Sequence, residues 1–214
     1  MRRIAAILTA ALLTLLGATP ASAAPAPLGG GSTLTSGSSF RCTAAFAARQ
    51  GSTGHLIAGP GCAVPVGTPM SSGGVLVGPV VAVSTSGVTV VRVTNTAAWQ
   101  LVPWIRFGDG QHLISGSVEA PVGGSVCLLD STSGLRCGTI TAKNQTVNFP
   151  GGVVSGLTRT NICLLPGSSI AFVSGAQAQG VPLGGSGSCG SGGVSFFKPV
   201  NPLLSAYGLT LVTG

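Results

Sequence analysis

Short runs of β-branched residues, each cut off by glycine or serine within about ten positions, constrain this chain more than any other feature. Val75–Val83, Val88–Val93, Val118–Leu129, Gly138–Ala142 and Thr146–Phe149 read as strands, and helical periodicity is nearly absent. One helix start stands out near the C-terminus. Asn201 can cap, Pro202 suits the first helical position, and Leu203-Leu204-Ser205-Ala206-Tyr207 follows before Gly208 stops it. The pattern implies an all-β sandwich or barrel, with a boundary between two β units near Gly116–Val122. Charged residues make up only 6% of the chain, so it is apolar enough to build a core and disorder is disfavoured.

The first residues carry a different pattern. Met1-Arg2-Arg3 precedes an apolar run from Ile4 to Leu16, and Ala21-Ser22-Ala23 supplies a small-x-small site. A basic start, a short apolar run and such a site read as a secretory signal peptide over 1–23, followed by a leader over 24–27. The run is 13 residues, shorter than the roughly 20 that span a bilayer. Secretion, with no membrane attachment after cleavage, is therefore expected. Removing Arg2 and Arg3 lowers the net charge from +7 to +5. The remaining cations stand singly rather than in a basic run interleaved with aromatics, so no nucleic-acid partner is expected.

Six cysteines in an exported chain point to a disulfide framework, for which spacing alone leaves 15 connectivities. A metal site is the rival reading. It fails because no Cys-x-x-Cys pair exists and the only histidines are His55 and His112. No cofactor or metal is expected.

Several longer phrases are more specific. Val126-Cys127-Leu128-Leu129-Asp130 runs through Gly134 to Cys137-Gly138-Thr139. Asn144-Gln145-Thr146-Val147 and Gly156-Leu157-Thr158-Arg159-Thr160-Asn161-Ile162-Cys163 follow. Gly184-Gly185-Ser186-Gly187-Ser188-Cys189 and the stretch from Phe196 to Leu211 complete the second half, and Leu28-Gly29-Gly30-Gly31 with Cys42-Thr43-Ala44-Ala45-Phe46 the first. In these phrases, over about residues 28–214, the chain resembles the streptogrisin branch of the chymotrypsin-like serine proteases. The resemblance implies a trypsin-like fold: two six-stranded antiparallel β-barrels, 28–115 and 116–214, a cleft between them and a short C-terminal helix. It also implies the pairings Cys42–Cys62, Cys127–Cys137 and Cys163–Cys189. Asn144-Gln145-Thr146 fits the N-glycosylation pattern but lies inside a phrase of a bacterial family, and is discounted. Streptogrisins typically carry a long pro-segment, whereas here the mature-like start at Leu28 closely follows the expected cleavage site. Residues 24–214 are therefore expected to refold without a helper segment.

Such a protease needs a serine that attacks, a histidine that takes its proton and an aspartate that orients the imidazole. The family histidine lies in Thr-Ala-Gly-His-Cys. The matching segment here, Ile57-Ala58-Gly59-Pro60-Gly61-Cys62, places Pro60 and Gly61 there. Gly87, in Gly87-Val88-Thr89-Val90-Val91-Arg92, takes the aspartate position, and Leu183 replaces the serine that would bond that aspartate. Deleting both partners of a buried polar pair can be nearly neutral, whereas deleting one costs about 1–3 kcal/mol. In Leu165-Pro166-Gly167-Ser168-Ser169-Ile170-Ala171, Ser169 keeps the nucleophile position and the amides of Gly167 and Ser169 are the expected oxyanion donors. Ser168 replaces the preceding aspartate and Leu128 replaces its buried arginine, a second paired deletion.

Other constellations are weaker. Gly190-Ser191-Gly192-Gly193 imitates a nucleophile phrase but matches a pocket loop. His55 reads as a strand or surface histidine, and His112 with Asp109 as a solvated loop pair. A triad rebuilt from these or Glu119 is disfavoured. The expectation is a secreted, monomeric pseudoprotease whose substrate strand, Leu183-Gly184-Gly185, still offers its backbone to extended peptides or proteinaceous protease inhibitors. The alternatives are an active endopeptidase using Ser169 with a non-standard base, and a structural or surface protein with a filled cleft.

Overall fold

Glycine- and serine-punctuated runs become strands because each apolar face finds a partner sheet to cover it. The computed structural model describes residues 23–214 apart from 38, 39, 166 and 191; nearly all of the expected signal peptide lies outside the described residues. The first half contributes β1 (Ala26–Gly30), β2 (Thr33–Ser36), β3 (Phe40–Gln50), β4 (Thr53–Ala58), β5 (Pro69–Ser72), β6 (Val75–Val83), β7 (Thr89–Val93), β8 (Trp99–Phe107) and β9 (Gly110–Leu113). The second contributes β10 (Ser125–Asp130), β11 (Gly134–Phe149), β12 (Gly152–Thr160), β13 (Ser169–Ser174), β14 (Gln177–Ser188), β15 (Gly192–Pro199), α1 (Val200–Tyr207) and β16 (Thr210–Leu211).

The second half closes into a barrel of order β10-β11-β12-β15-β14-β13. Its interior holds Val126, Leu128, Ile140 and Ile162 around Phe172 and Phe197, whose rings stack at 4.7 Å. The first half forms a sheet of order β16-β3-β2-β5-β6-β7-β4, and an additional β3–β4 pairing closes β3, β2, β5, β6, β7 and β4 into a ring. A smaller sheet, β1-β8-β9, lies beside it. The fold is the expected all-β pair of barrels. A core cluster joins the two, running from Phe46, Ile57 and Val90 to Leu129, Ile170 and Val181.

Three local expectations change. Val118–Leu129 is strand only from Ser125, because Pro121 starts a turn in which the Gly124 amide bonds the Pro121 carbonyl and Gly123 has φ +82°. The two runs Gly138–Ala142 and Thr146–Phe149 are one strand, β11. Irregularities in its pairing with β12 absorb the residues between, among them Asn144 at φ 54°. Helix α1 begins at Val200 rather than after Asn201. Asn201 caps nothing; its side-chain amide donates to Ser117 O at 2.8 Å, while Gly208 ends the helix at φ 60° as read. Beyond it, β16 returns to pair with β3. Among the described residues no helix is long and apolar enough to cross a membrane.

Candidate active site

All three disulfides pair in sequential order, and one of them, Cys42–Cys62, lines the cleft between the barrels. Cys42–Cys62 ties β3 to a short 3-10 turn, Pro60–Cys62, which proline starts easily because its φ is already set. Cys163–Cys189 ties the approach to β13 to the end of β14.

The cleft is about 450 Å³ in volume. Its first-barrel wall is built by Arg41, Cys42 and Thr43 with Gly59–Cys62. Its second-barrel wall is built by Leu164, Leu165, Gly167, Ser169, Ile170 and the stretch from Pro182 to Gly185. The sequence-derived positions Pro60, Gly61, Gly167, Ser169, Leu183, Gly184 and Gly185 thus come together in one cavity. Gly87 lies just behind it, in a turn where its amide bonds Ser84 O and its φ is +79°. A Cβ at Gly87 would stand 2.8 Å from Pro60 Cβ, so the two positions pack directly against each other. Among the described residues lining the cleft, Arg41 is the one ionisable side chain.

Ser169 opens β13 opposite Asp130 of β10. Gly167, two residues earlier, adopts φ +82°, a conformation a side chain would strain. The Ser169 hydroxyl donates to Leu165 O at 3.1 Å and lies 3.5 Å from Asp130 Oδ2. Asp130 is wholly buried and saturated with donors. Its Oδ2 accepts from Ser168 Oγ at 2.6 Å and from Arg136 at 3.1 Å, and its Oδ1 accepts from the amides of Thr132 and Ser133, both at 2.9 Å. Burial pushes the Asp130 pKa up. The hydrogen bonds from Ser168, Ser133 and Thr132 outweigh it and hold the carboxyl below its ordinary range. Leu128, on the same strand face, is buried in the barrel interior.

Neither histidine lines the cleft. His55 is buried on β4 with Nδ1 at 3.2 Å from Thr53 O, and burial lowers its pKa, helped by Arg92 and opposed by that hydrogen bond. His112 is not in a loop but on β9, where Nε2 lies 2.8 Å from Gly175 O of the second barrel. Glu119 pairs with Lys143 at 3.0 Å, and Asp109 sits in the turn between β8 and β9.

Among the described residues, the second-barrel wall also presents a sheet edge without a second strand. β14 pairs with β15 from Gly180 to Ser188, but its pairing with β13 stops at Gly180. Leu183 falls at an irregularity in that ladder. Beside it a Cβ at Gly184 would come within 2.6 Å of the Phe149 ring, so the edge lies close against an aromatic.

Sequence reasoning missed Asp130, Arg136 and Arg41. The usable signal for Asp130 was Asp130-Ser131-Thr132-Ser133-Gly134, a pattern in which an aspartate bonds the amides that follow it. Arg136 and Arg41 carried no such signal, since what distinguishes them is their neighbours across the fold.

No protein-family model matches the chain. Streptogrisin-C of Streptomyces griseus is 49% identical over 129 residues, 59% of this chain and 28% of that protein. Glutamyl endopeptidase 2 of Streptomyces griseus is 35% identical over 188 residues, 86% of this chain and 98% of the relative. Among solved structures, Thermobifida fusca protease A is 42% identical with a TM-score of 0.75, covering 88% of this chain and 100% of that one. The Nocardiopsis protease is 39% identical with a TM-score of 0.76 at the same coverage. The matched region spans well under half of streptogrisin-C and of streptogrisin-A, at 28% and 42% of their lengths.

Proposed function

The chain belongs to the streptogrisin-like, chymotrypsin-type serine proteases, and from that premise we propose that it is a secreted homologue without peptidase activity whose cleft holds extended peptides. The observation that carries the reading is the bonding of Ser169. Its hydroxyl proton goes to the Leu165 carbonyl, and no imidazole lines the cleft among the described residues. A serine hydroxyl becomes a useful nucleophile only when a neighbouring base accepts its proton. Pro60, Gly61 and Gly87, at the family positions of that base and its orienting carboxylate, have no group that can titrate. What then remains is binding and any oxyanion stabilisation by the Gly167 and Ser169 amides, worth about 10³–10⁴ over the uncatalysed reaction in triad-deleted enzymes. Peptide hydrolysis is too slow for that residue to register as turnover.

The peptide-binding part of the proposal draws on the free β14 edge at Leu183–Gly185, which offers backbone groups to an added strand. Export draws on the signal-like first residues and on three disulfides, which persist in oxidising compartments.

A second reading has one observation in its favour: the 3.5 Å approach of Ser169 Oγ to Asp130 Oδ2, which would make Asp130 the base of a working endopeptidase. Against it, Asp130 already accepts from Arg136, Ser168 and two amides, which stabilise its charge and weaken its pull on a proton. A fluorophosphonate probe separates the two. No labelling is expected, and labelling of the wild type that disappears in Ser169→Ala would overturn the proposal. Calorimetric titration with a proteinaceous streptogrisin inhibitor tests the binding half: about micromolar or tighter affinity supports a peptide-holding cleft. Silence would favour a cleft that is merely filled.

A further inference from the structure

We infer that the cleft selects an acidic peptide, with Arg41 receiving a carboxylate from the occupant; this rests on the reading of the cleft as a peptide-binding site. Arg41 is exposed on β3, directly before the buried Cys42, whose disulfide to Cys62 and whose place in the β2–β3 ladder hold the stem of the side chain in position. It is the one ionisable side chain among the described cleft-lining residues, and among the described residues no carboxylate forms an ion pair with it.

The chain has little acid to offer it. Of its three acidic residues, Asp130 is taken by Arg136 and Glu119 by Lys143, while Asp109 sits in the β8–β9 turn. A guanidinium facing a cavity and left without an internal counter-charge is a site for an external one. Its planar fork of N–H donors matches a carboxylate. The net charge of +5 left once Arg2 and Arg3 are removed adds a long-range attraction for anionic partners.

The opposite wall defines the rest of the occupant. A strand added at Leu183–Gly185 would have Leu164, Leu165, Ile170 and Pro182 around it and the Arg41–Thr43 wall across from it. The fitting ligand is therefore extended and apolar where it meets those leucines, with a carboxylate where it passes Arg41. That carboxylate comes from a side chain or from the end of the peptide chain.

The test uses the full chain and fluorescence anisotropy with short labelled peptides. Each has a central leucine and one glutamate moved position by position, against a twin with glutamine there, and each twin is made with an acid and an amide C-terminus. At one position the glutamate twin should bind about tenfold more tightly at low salt, with the gap closing as salt is raised. The preference should vanish in Arg41→Gln, survive in part in Arg41→Lys and shift towards a lysine twin in Arg41→Glu. A gap between acid and amide forms, in place of the glutamate gap, assigns the carboxylate to the chain end. Equal binding of all twins by the wild type overturns the inference and leaves the peptide-binding reading standing, as does a preference that persists in Arg41→Gln. No binding by natively folded protein ends both. Peptide recovered cut, in a Ser169-dependent way, ends the claim of inactivity and leaves the Arg41 preference to be judged from the same twins.

Discussion

The two walls of the cleft are backed in opposite ways, one by apolar contact and the other by a buried charge. Behind the first-barrel wall Gly87 packs on Pro60, two residues without a polar side-chain atom. Behind the second-barrel wall a carboxylate and a guanidinium, Asp130 and Arg136, meet at 3.1 Å, and Ser168 donates to the same carboxylate. Where neither neighbour carries a polar side chain, no hydrogen-bond partner has to be supplied. Where a carboxylate is buried, donors have to be gathered around it, and Asp130 of the β10–β11 hairpin collects Arg136, Ser168 and two backbone amides.

The strongest way to break this contrast is Asp130→Ala. It would strand Arg136, two amides and the Ser168 hydroxyl around an empty site, and chemical denaturation should report a loss of about 3–5 kcal/mol. A loss below about 1 kcal/mol would mean that the buried anion holds nothing together. On the other wall Gly87→Ala should cost about 1–3 kcal/mol, because φ +79° strains a side chain and its Cβ would meet Pro60 at 2.8 Å. Adding Pro60→Gly, which removes the Cβ that the new side chain meets, should recover the steric part of that loss, and strict additivity in the double mutant would show that the two positions do not touch energetically.

Titration sharpens the same comparison by giving each barrel its own pH window. His55, in the first barrel, has a folded pKa below its unfolded value of about 6.5. The unfolded chain therefore takes up the proton first, and stability present above that pH falls as pH drops through the folded value. Asp130, in the second barrel, has its folded pKa below an unfolded value of about 3.9, so its contribution is intact above that pH and disappears in a second, more acidic fall. Each slope is limited to about 1.4 kcal/mol per pH unit for one group. Urea midpoints across pH should show the first fall removed by His55→Gln and the second by Asp130→Asn. The smallest effect is expected for Ser169→Ala. It removes the one bond to Leu165 O and so shifts stability by about 1 kcal/mol or less, measured by thermal melting.

What could be read ahead of the fold follows from how local each signal is. The run Val75–Val83 is a strand over those very residues because β-branched side chains and flanking glycines act on the chain around them. Gly208 ends the helix for the same local reason. Asn201 was misread because its amide is drawn to Ser117, a carbonyl far away in the chain. The gap between the two segments of β11 was misread because a bulged ladder lets one strand run through residues that look like a turn. In the cleft, Pro60, Gly61, Ser169 and Gly184, each read from a contiguous phrase, line one cavity. Asp130 and Arg136 escaped notice because their importance lies in whom they meet: Ser168 is 38 residues from Asp130.

The return of β16 to the first barrel has a consequence for a broken chain. The stretch between the barrels exposes Val118 and Val122 to 74% and 56%, making it the natural place for a nick. A cut there would free neither piece. The C-terminal fragment still contributes Thr210–Leu211 to β3, and the amide of Gly214 still holds the carbonyl of Ile114. The two halves should copurify after clipping, and should find each other again when supplied as separate polypeptides.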